Sequence, residues 1–464
     1  HSDGWGAAAA AVAAAPTPAT RSRSADTLRD NNTFHLGERG GNCILAAPSP
    51  ADPMLQPELT EPLSAGGGAR TLTLRRGEER RLAAGHLWVF SNEVDTERTP
   101  LSAFAAGELV ELRTHRGAFV GHAYVNPHAL ICARILSHEE AQPVDRALIV
   151  RRLRAALALR EHLSAAPYYR WVFGESDLLP GLVLDRYGEV IVGQIATAGM
   201  EALKEEVAAA VREVVNPAGL FWKNDTAARD LEQLPQEAQL AFGTVPQELT
   251  VIEAGLEFTA PLAHGQKTGW FYDQSANRAR LARYLAPGAR VLDVCSYVGA
   301  WALTALRAGA GTACCVDSSQ AALEHAAANA ARNGLTLETL REDAFDALKS
   351  LAGLGRRFDV VILDPPAFIK RKKDIPQGQA AYRRLNQLAL ALLAEEGILV
   401  SCSCSYHLAP EELVSAIQGA ARHAGRFVQI LEAGGQSPDH PVHPAIPETR
   451  YLKAFFCRVT GEVG

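Results

Sequence analysis

The sequence has no CxxC pair, no GxGxxG turn following a strand, no overall excess of basic residues and no apolar run long enough to span a bilayer. Each absence removes a class of protein. Without CxxC or small-domain spacing, the eight cysteines (Cys43, Cys132, Cys295, Cys314, Cys315, Cys402, Cys404 and Cys457) read as reduced thiols, and a cytoplasmic location is expected. No metal is expected either: His440 and His443 lie close together but lack a thiolate or acidic partner at ligand spacing, and read as part of a Pro-rich loop. A chain without a spanning run reads as soluble and globular, with no membrane partner. A formal charge of −6 carries no whole-chain signature of nucleic-acid binding, so any such affinity must come from local patches. At 464 residues the chain is too long for one ordinary core, and two or three domains are expected.

What is there is organised around residues 291–303, VLDVCSYVGAWAL. An apolar run ends in Asp293, a turn of small residues follows, and then a helical pattern. That is the first strand, loop and helix of a doubly wound sheet, where the strand's carboxyl end and the helix start make a crevice. A pyrophosphate needs close backbone approach, which the glycine-poor turn Cys295-Ser296-Tyr297-Val298-Gly299 does not offer, so a dinucleotide is disfavoured. Asp317 ends the next apolar run, placed to accept both hydroxyls of a ribose. A nucleoside with a compact polar tail is implied, and S-adenosyl-L-methionine fits.

Residues 1–70 carry an Ala run, repeated Pro, RSRS and a Gly triplet without sustained periodicity, and read as disordered. They show no secretory signal pattern; an over-long start or an organellar transit peptide are the two accounts left open. Short alternating runs over 71–142 predict a small β-barrel. Arg75, Arg76, Arg80, Arg81 and His86 crowd its first part, either to track phosphates or as a solvated face partnered by Glu78 and Glu79.

A helix over 144–163 leads to a small α+β domain, 143–255. Its strands lie around turns at Pro180-Gly181 and Tyr187-Gly188-Glu189, with a helix over 200–214, a strand over 220–223 and a turn at Lys223-Asn224-Asp225. The remainder, 256–464, predicts the Rossmann-like sheet. In its entry loop, Lys267, Thr268, Asp273 and Gln274 are candidates for the amino-acid end of the ligand; the alternative makes Asp273 and Ser275 caps of a helix over 275–285. Further on, a helix over 319–332 stops at Asn333-Gly334, and Gly309 to Gly311 is a turn before a strand. Asp343 either accepts from an adenine amino group or caps a helix over 344–351.

Two further stretches carry chemistry. In residues 358–374, FDVVILDPPAFIKRKKD, a buried strand delivers Asp364 to the crevice mouth, Pro365 and Pro366 fix the backbone, and Phe368 offers a ring, a combination suited to a flat heteroaromatic base. The basic run Lys370, Arg371, Lys372 and Lys373 beside it suits phosphates. In residues 396–408, EGILVSCSCSYHL, Cys402 and Cys404 share a strand face, with Cys404 nearer the open end. Methylating a ring carbon of a pyrimidine needs a nucleophile at the neighbouring carbon, which a thiolate supplies.

From residue 71 onward these motifs resemble the RlmI-like bacterial large-subunit rRNA cytosine-5 methyltransferases, which join an N-terminal PUA domain, a small α+β domain and a class I methyltransferase domain. HLWVFS (86–91), GESDLLPGLVLDRYG (174–188), GQKTGWFYDQ (265–274), VLDVCSYVGA (291–300), VDSSQAAL (316–323), DPPAF (364–368), SCS (403–405) and DHPV with YLKAF (439–455) fall in the family's order. The resemblance implies a fold of Rossmann-like methyltransferase domain preceded by a PUA-like RNA-binding barrel and the α+β domain. It implies S-adenosyl-L-methionine held by Lys267, Thr268, Gly269, Phe271, Asp273, Gln274, Asp293, Cys295, Ser296 and Gly299, with Asp317 on the ribose and Asp343 on the adenine. Asp364 and Pro365 would hold the target base, and Cys404 would be the nucleophile, with Cys402 a partial substitute. The general base is left to Asp439 and His440 as candidates. The implied partner is rRNA of the large ribosomal subunit, with a homodimer as the candidate assembly.

The expected chemistry is a flipped cytosine attacked at C6 by Cys404 and methylated at C5. Its rivals are a guanine N7 or N2 rRNA methyltransferase on the same fold, which needs no thiol, and a non-catalytic RNA-binding assembly factor. A dehydrogenase is the weakest, lacking the glycine fingerprint.

Overall fold

The alternating runs near the start pair as a five-stranded sheet, β1 (Arg70–Thr73), β2 (Trp88–Phe90), β3 (Glu108–Arg113), β4 (Phe119–Val125) and β5 (Ile131–Ser137), in the order β1-β3-β4-β5-β2. The structure is a computed structural model that describes residues 69–262 and 268–461. The expectations for residues 1–68, and for Lys267, lie outside the described residues. Only the β1–β3 pair is parallel. The outer strands meet just past their ends: Leu74 bridges Val94, Arg75 N donates to Glu93 O at 2.8 Å and Asp95 N donates to Thr73 O at 2.8 Å. The sheet thus closes into the expected barrel, which removes its free edges.

Asp145 caps α1 (Arg146–Leu163) by accepting from Leu148 N at 2.8 Å, and the helix leads into a second five-stranded sheet. This comprises β6 (Tyr168–Phe173), β7 (Leu182–Tyr187), β8 (Val190–Ile195), β9 (Gly219–Asn224) and β10 (Glu237–Gly243), ordered β10-β9-β8-β7-β6, with α2 (Lys204–Val215) packed on α1. The helix expected over 200–214 is interrupted at Leu203, leaving a separate turn Ala198–Ala202. Lys223 and Asn224, expected in a turn, are the last residues of β9. Pairing to Ala238 and Glu237 of β10 extends the strand, a tertiary influence that overrides local turn propensity.

After the hairpin β11 (Glu248–Glu253) and β12 (Leu256–Pro261) comes a seven-stranded sheet. Its elements are α3 (Ser275–Leu281), β13 (Arg290–Val294), α4 (Ala300–Arg307), β14 (Thr312–Asp317), α5 (Gln320–Arg332), β15 (Glu338–Arg341), α6 (Ala344–Gly353) and β16 (Phe358–Leu363). They continue with α7 (Ile375–Leu390), β17 (Leu393–Ser403), α8 (Pro410–His423), β18 (Arg426–Gly435) and β19 (Lys453–Gly461). The order is β15-β14-β13-β16-β17-β19-β18; the first five run parallel, and β19 is antiparallel to both neighbours. The chain winds one way from β13 to β15 and the other from β16 to β17, so the crevice opens at the carboxyl ends of β13 and β16.

Strand alternation decides what each face holds. Leu292, Val294, Val361 and Leu363 join the core under α6, α7 and α8, whereas Val291, Val360, Ile362 and Cys402 join the opposite core with Trp301 of α4 and Leu323 of α5. Asp293 shares the parity of Val291, and Asp364 that of Ile362. Among the described residues no helix is long and apolar enough to cross a membrane.

Candidate active site

Three adjacent strand ends set the site. In the parallel register Asp293 lies opposite Ile362, and Leu363 lies opposite Ser401. Asp364 therefore leaves the end of β16 beside β13, and Cys404 leaves the end of β17 beside β16. Asp364, Pro365 and Cys404 line one cavity of about 540 Å³, together with Phe271, Asp273, Gln274, Cys295, Ser296, Asp317 and Asp343.

Asp293, at the end of β13, is fully buried and is not itself among the residues that line that cavity. Its Oδ2 accepts from Ala302 N at 3.1 Å, and its Oδ1 has no hydrogen-bond partner among the described residues. Burial pushes its carboxyl up to about 8; the Ala302 N–H opposes the shift, and the charges of Asp364 and Asp317 add to it. A buried acid with an unused oxygen is suited to a cationic ligand.

The loop after β13 is strained. Cys295 (φ 63) and Tyr297 (φ 49) are left-handed, a conformation costing about 1–2 kcal/mol for a residue with a side chain. Hydrogen bonds hold it: Cys295 N and Ser296 N donate to Val316 O at 2.8 and 3.1 Å, Tyr297 N donates to Asp317 Oδ2 at 2.9 Å, and Tyr297 Oη donates to Gly269 O at 3.1 Å. Gly299 starts α4 at φ 81, where an added β-carbon would meet Ala326 Cβ at 3.0 Å. It shapes the loop without lining the cavity.

The acidic residues are preset by donors. Asp317 Oδ1 accepts from Ser319 N at 2.9 Å, and Asp343 both caps α6, accepting from Phe345 N at 2.9 Å, and faces the cavity. The two sequence readings of Asp343 are thus compatible. Asp364 accepts from Gln274 Nε2 at 2.9 Å and from Trp301 Nε1 at 3.1 Å. Pro365 is buried, and Phe368 lines the cavity with its ring centroid 4.8 Å from that of Tyr382.

Several expectations need correction. Thr268 does not line the cavity: its buried hydroxyl donates to Asp185 and accepts from Tyr187 Oη at 3.3 Å, tying the entry loop to the central sheet. Gly269 contributes its carbonyl to Tyr297 and is likewise absent from the lining. Asp273 does not cap α3, whose preceding residue is Gln274; its Oδ2 accepts from Tyr451 Oη at 2.6 Å. Cys402 is fully buried in the core behind the cavity wall, its thiol bonded to the side chain of Gln274 but not itself lining the cavity, while Cys404 lies at the cavity edge against Phe173, Tyr451 and Leu452.

Neither candidate for the general base reaches the site. Asp439 Oδ2 accepts from Arg170 N at 2.9 Å, Asp439 Oδ1 pairs with His440 Nδ1 at 2.9 Å, and both residues are buried outside the cavity lining. Trp301 was missed: it orients Asp364, and nothing in local sequence announces a partner 63 positions away.

The basic clusters divide similarly. Lys370 lines the cavity, and Arg371, Lys372 and Lys373 are exposed beside it, with Arg371 3.4 Å from Asp374. In the barrel, burial lowers His86 to about 4, with the Arg81 and His443 charges adding, and its Nδ1 accepts from Trp88 N at 3.0 Å. Arg81 pairs with Glu93 at 2.8 Å and Arg75 donates to Val94 O at 3.1 Å; among the described residues neither uses Glu78 or Glu79. A second cavity, of about 230 Å³, lies between the barrel, the central sheet and residues 448–451. Of its charged groups, Arg134 pairs with Glu232 at 2.8 Å and Glu175 accepts from Trp88 Nε1 at 2.9 Å, while one oxygen of Glu448 has no hydrogen-bond partner among the described residues.

This arrangement has known counterparts. Residues 72–138 match the PUA-like domain family, and residues 234–457 match the S-adenosylmethionine-dependent methyltransferase family. The chain is 35% identical over 395 residues to ribosomal RNA large subunit methyltransferase I of Shigella boydii serotype 18, spanning 84% of this chain and 99% of that protein. The Escherichia coli O157:H7 protein of the same name matches with the same identity and coverage. Among solved structures, a candidate SAM-dependent methyltransferase from Streptococcus mutans superposes with a TM-score of 0.70 at 20% identity, covering 84% of this chain and all of that one (100%). SMU.776 in complex with SAH superposes at 0.72, again with 20% identity and 84% and 100% coverage. These two share the fold.

The cofactor of such an enzyme is S-adenosyl-L-methionine, and the residues here suit it. Buried Asp293 keeps one oxygen without a hydrogen bond among the described residues, and the Asp317 and Asp343 carboxylates on the cavity wall have acceptor capacity left, a set that fits a cationic nucleoside. On these grounds the chain belongs to the ribosomal RNA large subunit methyltransferase I family, enzymes that depend on S-adenosylmethionine.

Proposed function

We propose that this chain forms 5-methylcytosine in large-subunit rRNA through a covalent adduct to Cys404. The relatives' names supply the RNA class, and the observation that carries the chemistry is the meeting of Cys404 and Asp364 on one cavity at the strand ends. S-adenosyl-L-methionine, when bound, supplies an electrophilic methyl group. Asp273, Asp293, Cys295 and Ser296 would hold its methionine part, with Phe271 and Gln274 alongside; Asp317 takes the ribose and Asp343 the adenine.

Asp364, braced by Gln274 and Trp301, accepts from the N4 amino group of the base, beside N3, while Pro365 fixes the backbone that presents it. The sulfur of Cys404 bonds to C6, C5 gains nucleophilic character and is methylated, and loss of the C5 proton releases Cys404. Lys370 to Lys373 and the PUA-like barrel meet the phosphate backbone. A homodimer in the cytoplasm completes the reading, and sedimentation of the purified chain checks the assembly.

The test is methylation of large-subunit rRNA with labelled cofactor, followed by mass-spectrometric nucleotide mapping. The wild-type chain yields 5-methylcytosine, and C404A yields none while still binding cofactor. A methyl on guanine N2 or N7, or turnover by C404A, overturns the covalent scheme; cofactor binding with no methylation of any RNA would favour the assembly-factor reading.

A further inference from the structure

Lys453 is the first residue of β19, directly opposite Ser403, the last residue of β17, and Cys404 follows at once. Its side chain is 8% exposed, yet among the described residues no carboxylate lies within ion-pair distance. The amine is instead clamped on backbone: it donates to the carbonyl of Ser405 and to that of Tyr451, the latter at 2.9 Å. An ammonium has three N–H donors, so these two carbonyls leave one over. A lysine buried without a counter-ion is costly to the fold and calls for an anionic neighbour.

The surroundings narrow the choice. Burial lowers the amine to about 8, and the charges that reach it are, in order, those of Cys404, Glu412 and Arg450. Arg450 is of like sign. Glu412 is engaged elsewhere, accepting from Ala409 N at 2.6 Å and from Gln379 Nε2 at 2.6 Å. Tyr382, on α7, and Tyr451 also feel the charge of Cys404; the Tyr382 hydroxyl is bonded to Ser403 at 2.8 Å and Ser405 at 2.9 Å, and the Tyr451 hydroxyl to Asp273 at 2.6 Å. Burial pushes both phenols up, so they stay neutral. Cys404 is the anion left to face Lys453.

We propose that Lys453 is a positioning residue whose ammonium, fixed by the Ser405 and Tyr451 carbonyls, holds Cys404 as the thiolate. This rests on the reading of Cys404 as nucleophile. Lys453 is not in the cavity lining and touches no substrate; it acts through the sulfur. The thiol proton leaves to solvent before the base arrives. A sulfur electron pair then forms the S–C6 bond as the C5–C6 π pair moves to C5, from which the methyl is taken up. When C5 gives its proton to a base, the C–H pair restores the double bond, the S–C6 bond breaks and its pair returns to sulfur. Lys453 keeps its charge throughout, so no proton has to be found for the departing thiolate.

The test reads Cys404 directly. The full chain, without cofactor, is alkylated with iodoacetamide between pH 5.5 and 9.5, and modification is located by peptide mass spectrometry. In K453M the midpoint for Cys404 moves up by about one unit or more, so alkylation at pH 7 slows roughly tenfold; K453R restores it. Cys402, fully buried, must stay unmodified as the control for folding. A profile for K453M that superimposes on wild type overturns the proposal. Should K453M lose its fold, the reciprocal measurement replaces it: in C404S, with lysines carrying 13C at the ε carbon, the Lys453 pKa falls, and an unchanged value overturns the pairing. Both readouts are independent of methylation, so a failure of Cys404 as nucleophile in the RNA assay is distinguishable from a failure of the pair.

Discussion

The side-chain amide of Gln274 donates to Asp364 Oδ1 at 2.9 Å, while its own oxygen accepts from Asn277 Nδ2 at 2.7 Å. Gln274 thus links α3 to the end of β16 and fixes the carboxylate proposed to receive the base. Together with Trp301 it leaves Asp364 little freedom to turn. A catalytic group displaced by about 1 Å commonly loses roughly 100-fold in rate. Q274A should therefore lower kcat by about 10–100-fold with a small effect on cofactor affinity. If cofactor affinity weakens instead and kcat is spared, Gln274 serves the cofactor and not Asp364.

Asp293 gives a pH signature. Its carboxyl rises from 3.8 to about 8, so between those values the folded chain holds a proton that the unfolded chain has lost. The contribution to stability is fully present below about 4 and is lost as pH rises to about 8. The cofactor-free chain should accordingly melt lower at pH 8.5 than at pH 6, and D293N should remove that part of the slope. Cofactor carrying positive charge selects the ionised acid, so binding at pH 7 should release about one proton and tighten as pH approaches 8. Calorimetry in buffers of different ionisation enthalpy measures the release; none in wild type would mean that Asp293 remains protonated in the complex.

Much of this site was legible because strand ends are written locally. An apolar run closing on Asp293, another closing on Asp317 and the Asp364-Pro365-Pro366 stop each announce a side chain at a sheet edge, and parity places Cys402 and Cys404 on one face. What could not be read is which partner meets which residue across distance. Cys402 and Cys404 share parity, but one lies inside the strand and the other past its end, so only one reaches the cavity. Thr268 sits in a motif otherwise facing the ligand, yet its hydroxyl goes to Asp185, 83 positions earlier. Lys223 and Asn224 look like a turn until β10 pairs with them.

Thr268 is accordingly expected to matter for stability. Its hydroxyl is buried between Asp185, which pairs with Arg170 at 2.8 and 2.9 Å, and the Tyr187 hydroxyl. T268V strands one acceptor position and one phenol donor, a loss of roughly 1–3 kcal/mol, which T268S should largely spare. Urea unfolding measures the first effect and cofactor titration the second. A tenfold weaker cofactor at unchanged stability would return Thr268 to the binding site.

The two cysteines separate by depth. Cys402, packed with Leu281, Val291 and Phe456 and pushed by burial to a pKa well above that of a free thiol, has no path to a base; C402A should cost roughly 0.5–3 kcal/mol of stability and keep methylation. Cys404 faces the cavity, so C404A should keep its fold and lose turnover. RNA carrying 5-fluorocytosine distinguishes the two without relying on rates, because fluorine at C5 cannot leave as a proton and the adduct is trapped. A complex that survives denaturing electrophoresis should form with wild type and C402A and be absent with C404A. An adduct on C404A would place the attacking sulfur elsewhere, and Cys295, the other thiol on the cavity wall, would be the one to map.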